Sequence, residues 1–360
     1  MARSGRAGRV DVVVVGGSNF DYLVRGPRLP TPGSTVEGAD FQDAPGGKGA
    51  NQAIAAARLG ARVAFISRGG RDEQGKRVVG RLRQEGVQLS ALSRDRVART
   101  GVALVLVDQS GEKQILTAPG ANRNLTGREV SGHRQLIARA KVLLIQLEVP
   151  RAAVARAIGL ADAAGVLTIL DAAPPPPRHL PNGLLRRVHL LRCNADEATA
   201  LTGISVTGRA SARRAARSLL RRGVGAAIVG AKGGNLLCSA DGDVWFPHLP
   251  VDVVDLTGAG DAFSAGLAVE LSRGASLADA TRFAAAAAAA KATVLGAQAG
   301  LPRRRRVLKL LKARHSALGT RRRSRDAAPS DRFRSAVRLA LGGSSTPNVK
   351  ATVRSTGRFQ

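Results

Sequence analysis

Short runs of aliphatic and β-branched residues recur along the chain. An apolar side chain at every position suits a strand that is covered on both faces, so these runs predict the buried strands of a parallel sheet. The predicted strands cover residues 12–15, 63–66, 142–147, 167–170, 188–191, 226–229 and 251–254.

Longer stretches rich in Ala, Leu and Arg lie between the strands, and their apolar residues are spaced at a helical period. The predicted helices cover residues 50–59, 76–85, 152–164, 197–201, 210–221, 262–271 and 277–295. Strands that alternate with helices predict βαβ units. We therefore expect a three-layer α/β fold in which helices cover both faces of a central, mostly parallel sheet.

Two segments, 19–43 and 97–118, interrupt this alternation. They contain strand-like runs and turn signals such as Pro-Thr-Pro-Gly at 30–33, with no helix between the runs. We expect them to form a small β-sheet that projects from the main domain. Such a sheet is well placed to act as a lid over a site at the strand ends.

The composition limits the class of protein. The 360 residues accommodate an α/β core of roughly 300 residues with one small subdomain. Cys193 and Cys238 are too few for a disulfide framework or a structural zinc site, so a reducing cytoplasm is expected. Asp11 and Gly16 confine the first apolar run to residues 12–15, and the alanine run 284–290 is too short to span a membrane. We expect no membrane partner.

The net charge of +30 would suggest an anionic partner, but its distribution matters more. Residues 303–360 hold 17 Lys and Arg against 2 Asp and Glu. Residues 303–319 have the spacing of a basic terminal helix, whereas the Arg-, Ser- and Gly-rich residues 320–360 are expected to be disordered. This tail is interpreted as a solvated extension, with a weak nucleic-acid-binding arm as the alternative.

Residues 255–263 read DLTGAGDAF and lead from the predicted strand at 251–254 into a helix. Small residues allow the main-chain N–H groups of a helix N-terminus to converge on a phosphate. Gly258, Ala259 and Gly260 are the candidates for such an anion hole. Asp261 then lies in the first turn, where its carboxylate could take a proton from an attacking hydroxyl. Taken alone, a Gly-rich turn before an N-capping Asp would give the same pattern.

Residues 46–51 read GGKGAN and open a second helix. The spacing is not that of a Walker A loop. The glycines permit close approach of a polar ligand, and Lys48 and Asn51 offer hydrogen-bond donors to sugar hydroxyls. A flexible loop at the start of a helix is the alternative interpretation of this segment alone.

Together, in this order and at this separation, the two motifs resemble the ribokinase-like family of carbohydrate kinases over residues 10–302. Further matches are GSNFD at 17–21, PTPG at 30–33, APGAN at 118–122, QLE at 146–148, NADE at 194–197 and GAQ at 296–298. The resemblance implies ATP-dependent phosphorylation of D-ribose at O5, with Asp261 as general base. It also implies a homodimer formed through the lid sheet.

The resemblance implies three groups of site residues. The sugar-binding residues are Asn19, Asp21, Gly47, Lys48, Asn51, Glu148 and Asp261. The residues implied for ATP and Mg²⁺ are Asn194, Glu197, Ile228, Gly230, Lys232, Gly233 and Gly260. A K⁺ site beside the anion hole is implied at Asp255 and at the main-chain carbonyls around Thr257, Lys291, Val294, Gly296 and Gly300.

The sequence also departs from the family pattern. Ile228 stands where a Thr is usual, Asp171 begins a segment that is usually Asn-Pro-Ala-Pro, and Leu256 replaces a common Thr. These departures concern nucleotide affinity more than reaction type. A kinase of 2-deoxyribose, fructose or adenosine remains an alternative, as does a non-catalytic sugar-sensing or nucleic-acid-binding protein on the same fold.

Overall fold

The computed structural model describes residues 10–176 and 179–317, and within them thirteen strands form two sheets. In chain order, β1 to β13 cover Val12–Val15, Asn19–Arg25, Asp40–Gly46, Val63–Gly69, Leu92–Arg94, Gly101–Val107, Lys113–Ala118, Val142–Ile145, Leu167–Asp171, Leu190–Cys193, Ala226–Ala231, Gly234–Ser239 and Gly242–Pro247. The main sheet has the order β13-β12-β11-β10-β9-β8-β1-β4-β5. Its strands from β11 to β5 are parallel, and β12 and β13 add an antiparallel hairpin at one edge.

Helices cover both faces of the main sheet. In chain order, α1 to α11 cover Lys48–Arg58, Glu73–Gln84, Gly127–Gly132, Arg134–Ala138, Arg151–Ala163, Asn182–Leu185, Ala195–Thr202, Arg209–Arg221, Ala259–Ser272, Leu277–Ala292 and Arg304–Ala317. Each face of the main sheet has its own hydrophobic core, and alternate residues of β1 point into the two cores. Val12 and Val14 pack with α1, α2, α9 and α10, whereas Val13 and Val15 pack with α3, α5, α7 and α8. The predicted three-layer α/β fold is confirmed.

The predicted lid is also confirmed as a separate sheet of four strands in the order β3-β2-β6-β7. The central strands β2 and β6 are parallel, and each has an antiparallel neighbour. The register aligns Asp21 with Ala103 and Ala103 with Thr117. Because side chains alternate between the faces of a sheet, these residues point to the same side.

The strand predicted at 251–254 is wrong. This segment is irregular, and its main chain runs beside the end of α10, where the N–H groups of Val254 and Asp255 donate to the carbonyl of Ala292 at 2.8 and 3.0 Å. The side chains of Val253 and Val254 are more than half exposed, so the apolar run is not a buried strand. Contacts with α10 rather than with a strand determine the path of this segment.

A terminal helix, α11, occupies Arg304–Ala317, where the sequence predicts a basic helix over 303–319. Val307 is fully buried against the α9–α10 layer, and the Arg304 guanidinium lies 4.8 Å from the centre of the Phe283 ring. The tail predicted over 320–360 lies outside the described residues. Among the helices of the described part, none is both long enough and apolar enough to cross a membrane.

Two helical glycines should respond in opposite ways to the same substitution. A Cβ on Gly49 in α1 would stand 2.6 Å from the carbonyl oxygen of Gly17, whereas a Cβ on Gly80 in α2 would meet nothing within 4 Å. Gly80→Ala should raise the free energy of unfolding by about 0.5–1 kcal/mol, and Gly49→Ala should lower it by about 1–3 kcal/mol. Urea unfolding measures both. If both substitutions changed the free energy of unfolding equally and in the same direction, α1 would not need this close approach to the Gly17 carbonyl.

Candidate active site

A cavity of about 450 Å³ lies between the lid and the carboxyl ends of the main-sheet strands. Strands β1, β8 and β10 end at this edge, which brings residues distant in sequence together. The polar residues that line the cavity are Asn19, Asp21, Lys48, Asn51, Thr117, Asn122, Glu148, Glu197, Thr257 and Asp261. The structure thus brings all seven residues predicted for the sugar, including Gly47, to one cavity.

Asp261 lies in the first turn of α9 and is buried. Its Oδ2 accepts a hydrogen bond from Asn51 Nδ2 at 2.9 Å, and its Oδ1 accepts one from Gln52 Nε2 at 3.1 Å. Burial raises the pKa of this carboxyl, while the charge of Lys48 and the bond from Asn51 oppose that rise. The two donors from α1 hold the carboxylate in one orientation at the edge of the cavity.

The two amides are oriented by further partners. Gln298 Nε2 donates to Asn51 Oδ1 at 3.0 Å, which leaves the Asn51 amide nitrogen for Asp261. Gln52 Oε1 accepts from Gln146, and its amide nitrogen also donates to Asp171 at 2.8 Å. Since each oxygen has a donor, the NH₂ groups must face the carboxylates.

At the lid side of the cavity, the polar groups are held by the main chain and by one asparagine. Asn122 donates to Asn19 Oδ1 at 2.7 Å, and the main-chain N–H of Lys48 donates to Glu148 Oε2 at 2.7 Å. Burial, followed by the charge of Asp261, raises the pKa of Asp21 to about 7. Burial also raises the pKa of Glu148 to about 7, against the lowering effect of Lys48.

Lys48 is the cation that balances these carboxylates. Burial alone would lower the pKa of its ammonium, but the charges of Asp261 and Glu148, with smaller contributions from Asp171 and Glu197, raise it above the ordinary value. The ammonium therefore stays charged at neutral pH. Several acids and one base around a small cavity form a strongly polar binding site.

The N-terminus of α9 separates this cavity from a second one. Thr257, Gly258 and Asp261 line the first cavity, whereas Ala259 and Gly260 line an apolar groove of about 220 Å³. Gly258 precedes the helix with φ of 82°, a conformation that favours glycine. The N–H of Ala259 donates to the carbonyl oxygen of Leu256 at 3.0 Å. The other N–H groups of the first turn, together with the helix dipole, form a place for an anion between the two cavities.

A sequence model of the pfkB family carbohydrate kinases matches residues 10–304. The chain belongs to the pfkB family of carbohydrate kinases. It is similar to the ribokinase of Haemophilus influenzae, with 37% identity over 306 residues that cover 84% of this chain and 99% of that protein. It is also similar to the deoxyribokinase of Salmonella typhi, with 31% identity over 71% of this chain and 83% of that protein.

The fold of this pfkB kinase is shared by solved structures. The structure of Arabidopsis thaliana ribokinase complexed with ribose and ATP superimposes with a TM-score of 0.77 at 32% identity. The match covers 85% of this chain and 99% of that one. The two-sheet architecture is therefore that of a family of ATP-dependent sugar kinases.

Of the residues predicted for ATP and Mg²⁺, Gly260 lines the groove, whereas Asn194, Glu197, Ile228, Gly230, Lys232 and Gly233 do not. They lie on or after the strands β10 and β11. A Cβ on Gly230 would stand 3.6 Å from Asn194 Cα, whereas Lys232 and Gly233 form the exposed turn between β11 and β12. The side chain of Ile228 lies in the sheet core, so only its main chain could face a nucleotide.

Asn194 and Glu197 form a capping box at the start of α7: each main-chain N–H donates to the other's side chain, at 2.7 and 2.8 Å. Glu197 also lines the polar cavity, and burial raises its pKa. Its carboxylate is a suitable outer ligand for Mg²⁺, which is held largely by substrate phosphates and water in such enzymes. The described residues contain no cluster of three or more metal-ligating side chains.

Sequence reasoning missed Arg192, which stands between the two cavities. Its Nη atoms lie 3.1 Å from the position that a Cβ on Gly260 would take, and it lines the groove. Nη1 pairs with Asp171 at 3.1 Å and lies 3.9 Å from Glu197. The available signal was an Arg inside an otherwise apolar strand. Its partner Asp171, on the adjacent strand, is itself a departure from the family pattern.

The residues predicted to surround K⁺ do come together, but they do not fit the ion. The ammonium of Lys291 lies among them, with its Nζ 2.8 Å from the Asp255 carbonyl oxygen and 2.9 Å from that of Val294. Lys291 was expected to supply only its main-chain carbonyl. Its side chain instead brings a positive charge into the place expected for the ion.

The pKa of Asp21 makes stability depend on pH. Because this pKa is raised to about 7, the folded state binds more protons than the unfolded state between about pH 4 and 7, and the ionised Asp21 destabilises the protein as pH rises through that range. Asp21→Asn should therefore raise the free energy of unfolding at pH 8 by about 1–3 kcal/mol, since one pKa unit corresponds to about 1.4 kcal/mol. The gain should shrink at pH 5.

Urea unfolding at the two pH values measures this gain. Asp43→Asn is the matched control on the lid, because the bond from Arg77 lowers the pKa of Asp43 and its removal should bring no gain at pH 8. If Asp21→Asn raised the free energy of unfolding equally at both pH values, the raised pKa of Asp21 would be contradicted.

Proposed function

We propose that the protein transfers the γ-phosphate of ATP to O5 of D-ribose and forms ribose 5-phosphate and ADP. One observation carries the proposal: the first turn of α9 presents the fixed carboxylate of Asp261 to the polar cavity and presents Ala259 and Gly260 to the apolar groove. A sugar in the cavity and a nucleotide in the groove would meet across that helix end.

The chemistry follows from this placement. As O5 attacks the γ-phosphorus, Asp261 takes the hydroxyl proton, and the bond from phosphorus to the bridging oxygen breaks so that ADP leaves with the electron pair. The N–H groups of Gly258 and Gly260, joined by that of Ala259 once it leaves the Leu256 carbonyl, stabilise the negative charge that spreads over the phosphoryl oxygens. Mg²⁺, when bound with ATP, neutralises phosphate charge. Burial raises the pKa of Asp261, which favours proton uptake.

The cavity suits a polyol. Asp21 and Glu148 provide carboxylates that accept from sugar hydroxyls, and Asn19, Lys48 and Asn51 provide donors. Among the described residues that line the cavity there is no aromatic side chain, which a nucleobase would favour. The apolar groove, lined by Leu249, Phe263 and the alanines of α10, suits the adenine of ATP.

The similarity to both a ribokinase and a deoxyribokinase keeps 2-deoxyribose as the second candidate substrate. Adenosine is less suited to the cavity because no aromatic side chain is found among the described lining residues, whereas fructose stays a further candidate. A non-catalytic sensor would have no need of the aligned Asp261. The carboxylates and donors around this small cavity favour ribose over 2-deoxyribose, because ribose carries one more hydroxyl.

Three further proposals concern the location of the protein, its pairing and its basic tail. We place the protein in the cytoplasm, in keeping with two free, buried thiols. We expect two copies to pair through the lid, whose outward face carries the exposed side chains of Phe41, Leu104 and Leu116. The interpretation of the basic tail as a solvated extension rather than a nucleic-acid-binding arm stays a prediction.

Asp261→Asn tests the catalytic assignment. The amide keeps the shape of the side chain but cannot take the proton, so kcat should fall by roughly 10²–10⁴-fold while the sugar KM changes little. A coupled assay of ADP formation measures both constants. Asp241→Asn, at an exposed turn between β12 and β13, is the control and should behave as wild type. A kcat for Asp261→Asn near the wild-type value would remove Asp261 from the mechanism.

A panel of sugars tests the substrate. In the same assay, D-ribose should give a higher kcat/KM than 2-deoxyribose, fructose or adenosine, and Asp21→Ala should raise the ribose KM by about tenfold or more, given roughly 1.5–3 kcal/mol for a hydrogen bond to a charged group. If another compound in the panel is preferred, or if neither Asp21→Ala nor Glu148→Ala changes the ribose KM, the substrate is not ribose.

A further inference from the structure

Lys291 is a fully buried lysine in the last turn of α10. Lysine is almost never fully buried unless it is paired, because removing an ammonium from water is costly. Its place at a helix C-terminus favours a positive charge. A charge in this position needs an explanation beyond helix stability.

Three oxygen atoms surround the Lys291 ammonium. The carbonyl oxygens of Asp255 and Val294 lie 2.8 and 2.9 Å from Nζ, and Asp255 Oδ2 lies 3.4 Å away. All three are acceptors, so the nitrogen must donate three hydrogens, as only the charged ammonium does. Cages of carbonyl oxygens are also what a potassium ion binds in proteins.

The surroundings are shaped for the lysine side chain. A Cβ on Gly300 would stand 2.9 Å from both Cδ and Cε of Lys291, so only glycine leaves the side chain room. Asp255 is held in turn by the main-chain N–H groups of Thr257 and Gly296, at 2.9 and 3.0 Å. The cage therefore has a defined geometry with the ammonium inside it.

The cage joins two elements that matter for the proposed chemistry. Asp255 lies three residues before Gly258, the residue that precedes α9, and Val294 follows the end of α10. Lys113 from the lid strand β7 approaches the outer side of the same loop, with its Nζ 3.0 Å from Thr257 Oγ1 and 3.8 Å from Asp255 Oδ1. The path of the loop into the anion hole thus depends on cationic groups.

We propose that the Lys291 ammonium is a built-in substitute for a monovalent cation, which holds the loop at 255–258 in position and makes phosphoryl transfer independent of K⁺. The kinetic part of this inference rests on the proposed kinase function. The part that concerns the melting temperature does not rest on that function, because ion binding to the cage changes the melting temperature whether or not the protein is a kinase.

The experiment compares KCl with tetramethylammonium chloride at equal ionic strength. For the wild type, kcat, KM and the melting temperature should agree within error in the two salts, with rates within about twofold. Lys291→Ala opens the cage, so without K⁺ its kcat should fall by roughly tenfold or more and its melting temperature should fall. Added K⁺ should restore much of both.

Two further variants separate the loss of charge from the loss of packing. Lys291→Met fills the cage without a charge, so it should lose activity and gain nothing from K⁺. Lys76→Ala removes an exposed lysine paired with Glu73 and should match the wild type in both salts. Restoration by K⁺ in Lys291→Ala but not in Lys291→Met is the pattern that supports the substitution.

Two results would overturn the inference. One is a wild type that K⁺ activates about fivefold or more, or whose melting temperature K⁺ raises, because the cage would then still bind the ion. The other is a Lys291→Ala variant that keeps wild-type kcat and melting temperature without K⁺. If Lys291→Ala does not fold, the comparison of the wild type in KCl and in tetramethylammonium chloride alone decides whether the cage binds K⁺. A wild type that melts identically in both salts but phosphorylates none of the sugars refutes the proposed function and not the cage.

Discussion

A buried carboxylate must be fully paired, and the pairing of Asp261 is the constraint on which the site depends. An unpaired charge in this position would cost several kcal/mol, so the donors from Asn51 and Gln52 have to be present. They are present only because α1 packs against α9 and begins at the glycine loop. The close approach of Gly49 to Gly17 sets where α1 begins relative to the end of β1. The fold and the orientation of the candidate base therefore have the same cause.

In the proposed function, one helix end serves two ligands. Its N-terminus lies between a polar cavity and an apolar groove, and the loop before it is tied to the end of α10 by Lys291 and Asp255. Arg192 and Asp171 form another charged pair beneath the same turn. These charges keep a glycine-rich segment ordered, although glycine favours disorder on entropic grounds.

The sequence was enough to predict the architecture, because uninterrupted apolar runs and helical periods are local patterns. Asp21 and Glu148 were assigned to one site by the family resemblance and not by a local pattern, since Asp21 lies on the lid strand β2 and Glu148 follows β8 of the main sheet. The exposed segment at 251–254 was misjudged because its composition matches a strand while its contacts are with α10. Gln52 looked like an ordinary helix residue. The partners of Arg192 and Lys291, which are Asp171 and Asp255, lie far from them in the chain, and no local pattern encodes such contacts.

The polar cavity beside the N-terminus of α9 is proposed to direct phosphoryl transfer to the primary hydroxyl of the sugar. Phosphorus NMR of a reaction containing ATP, Mg²⁺ and D-ribose tests it most directly, because the splitting of the product signal counts the protons on the carbon that carries the phosphate. We predict one new phosphomonoester signal that is split into a triplet by the two C5 protons. A product signal split by a single proton, or the release of inorganic phosphate alone, would contradict the account.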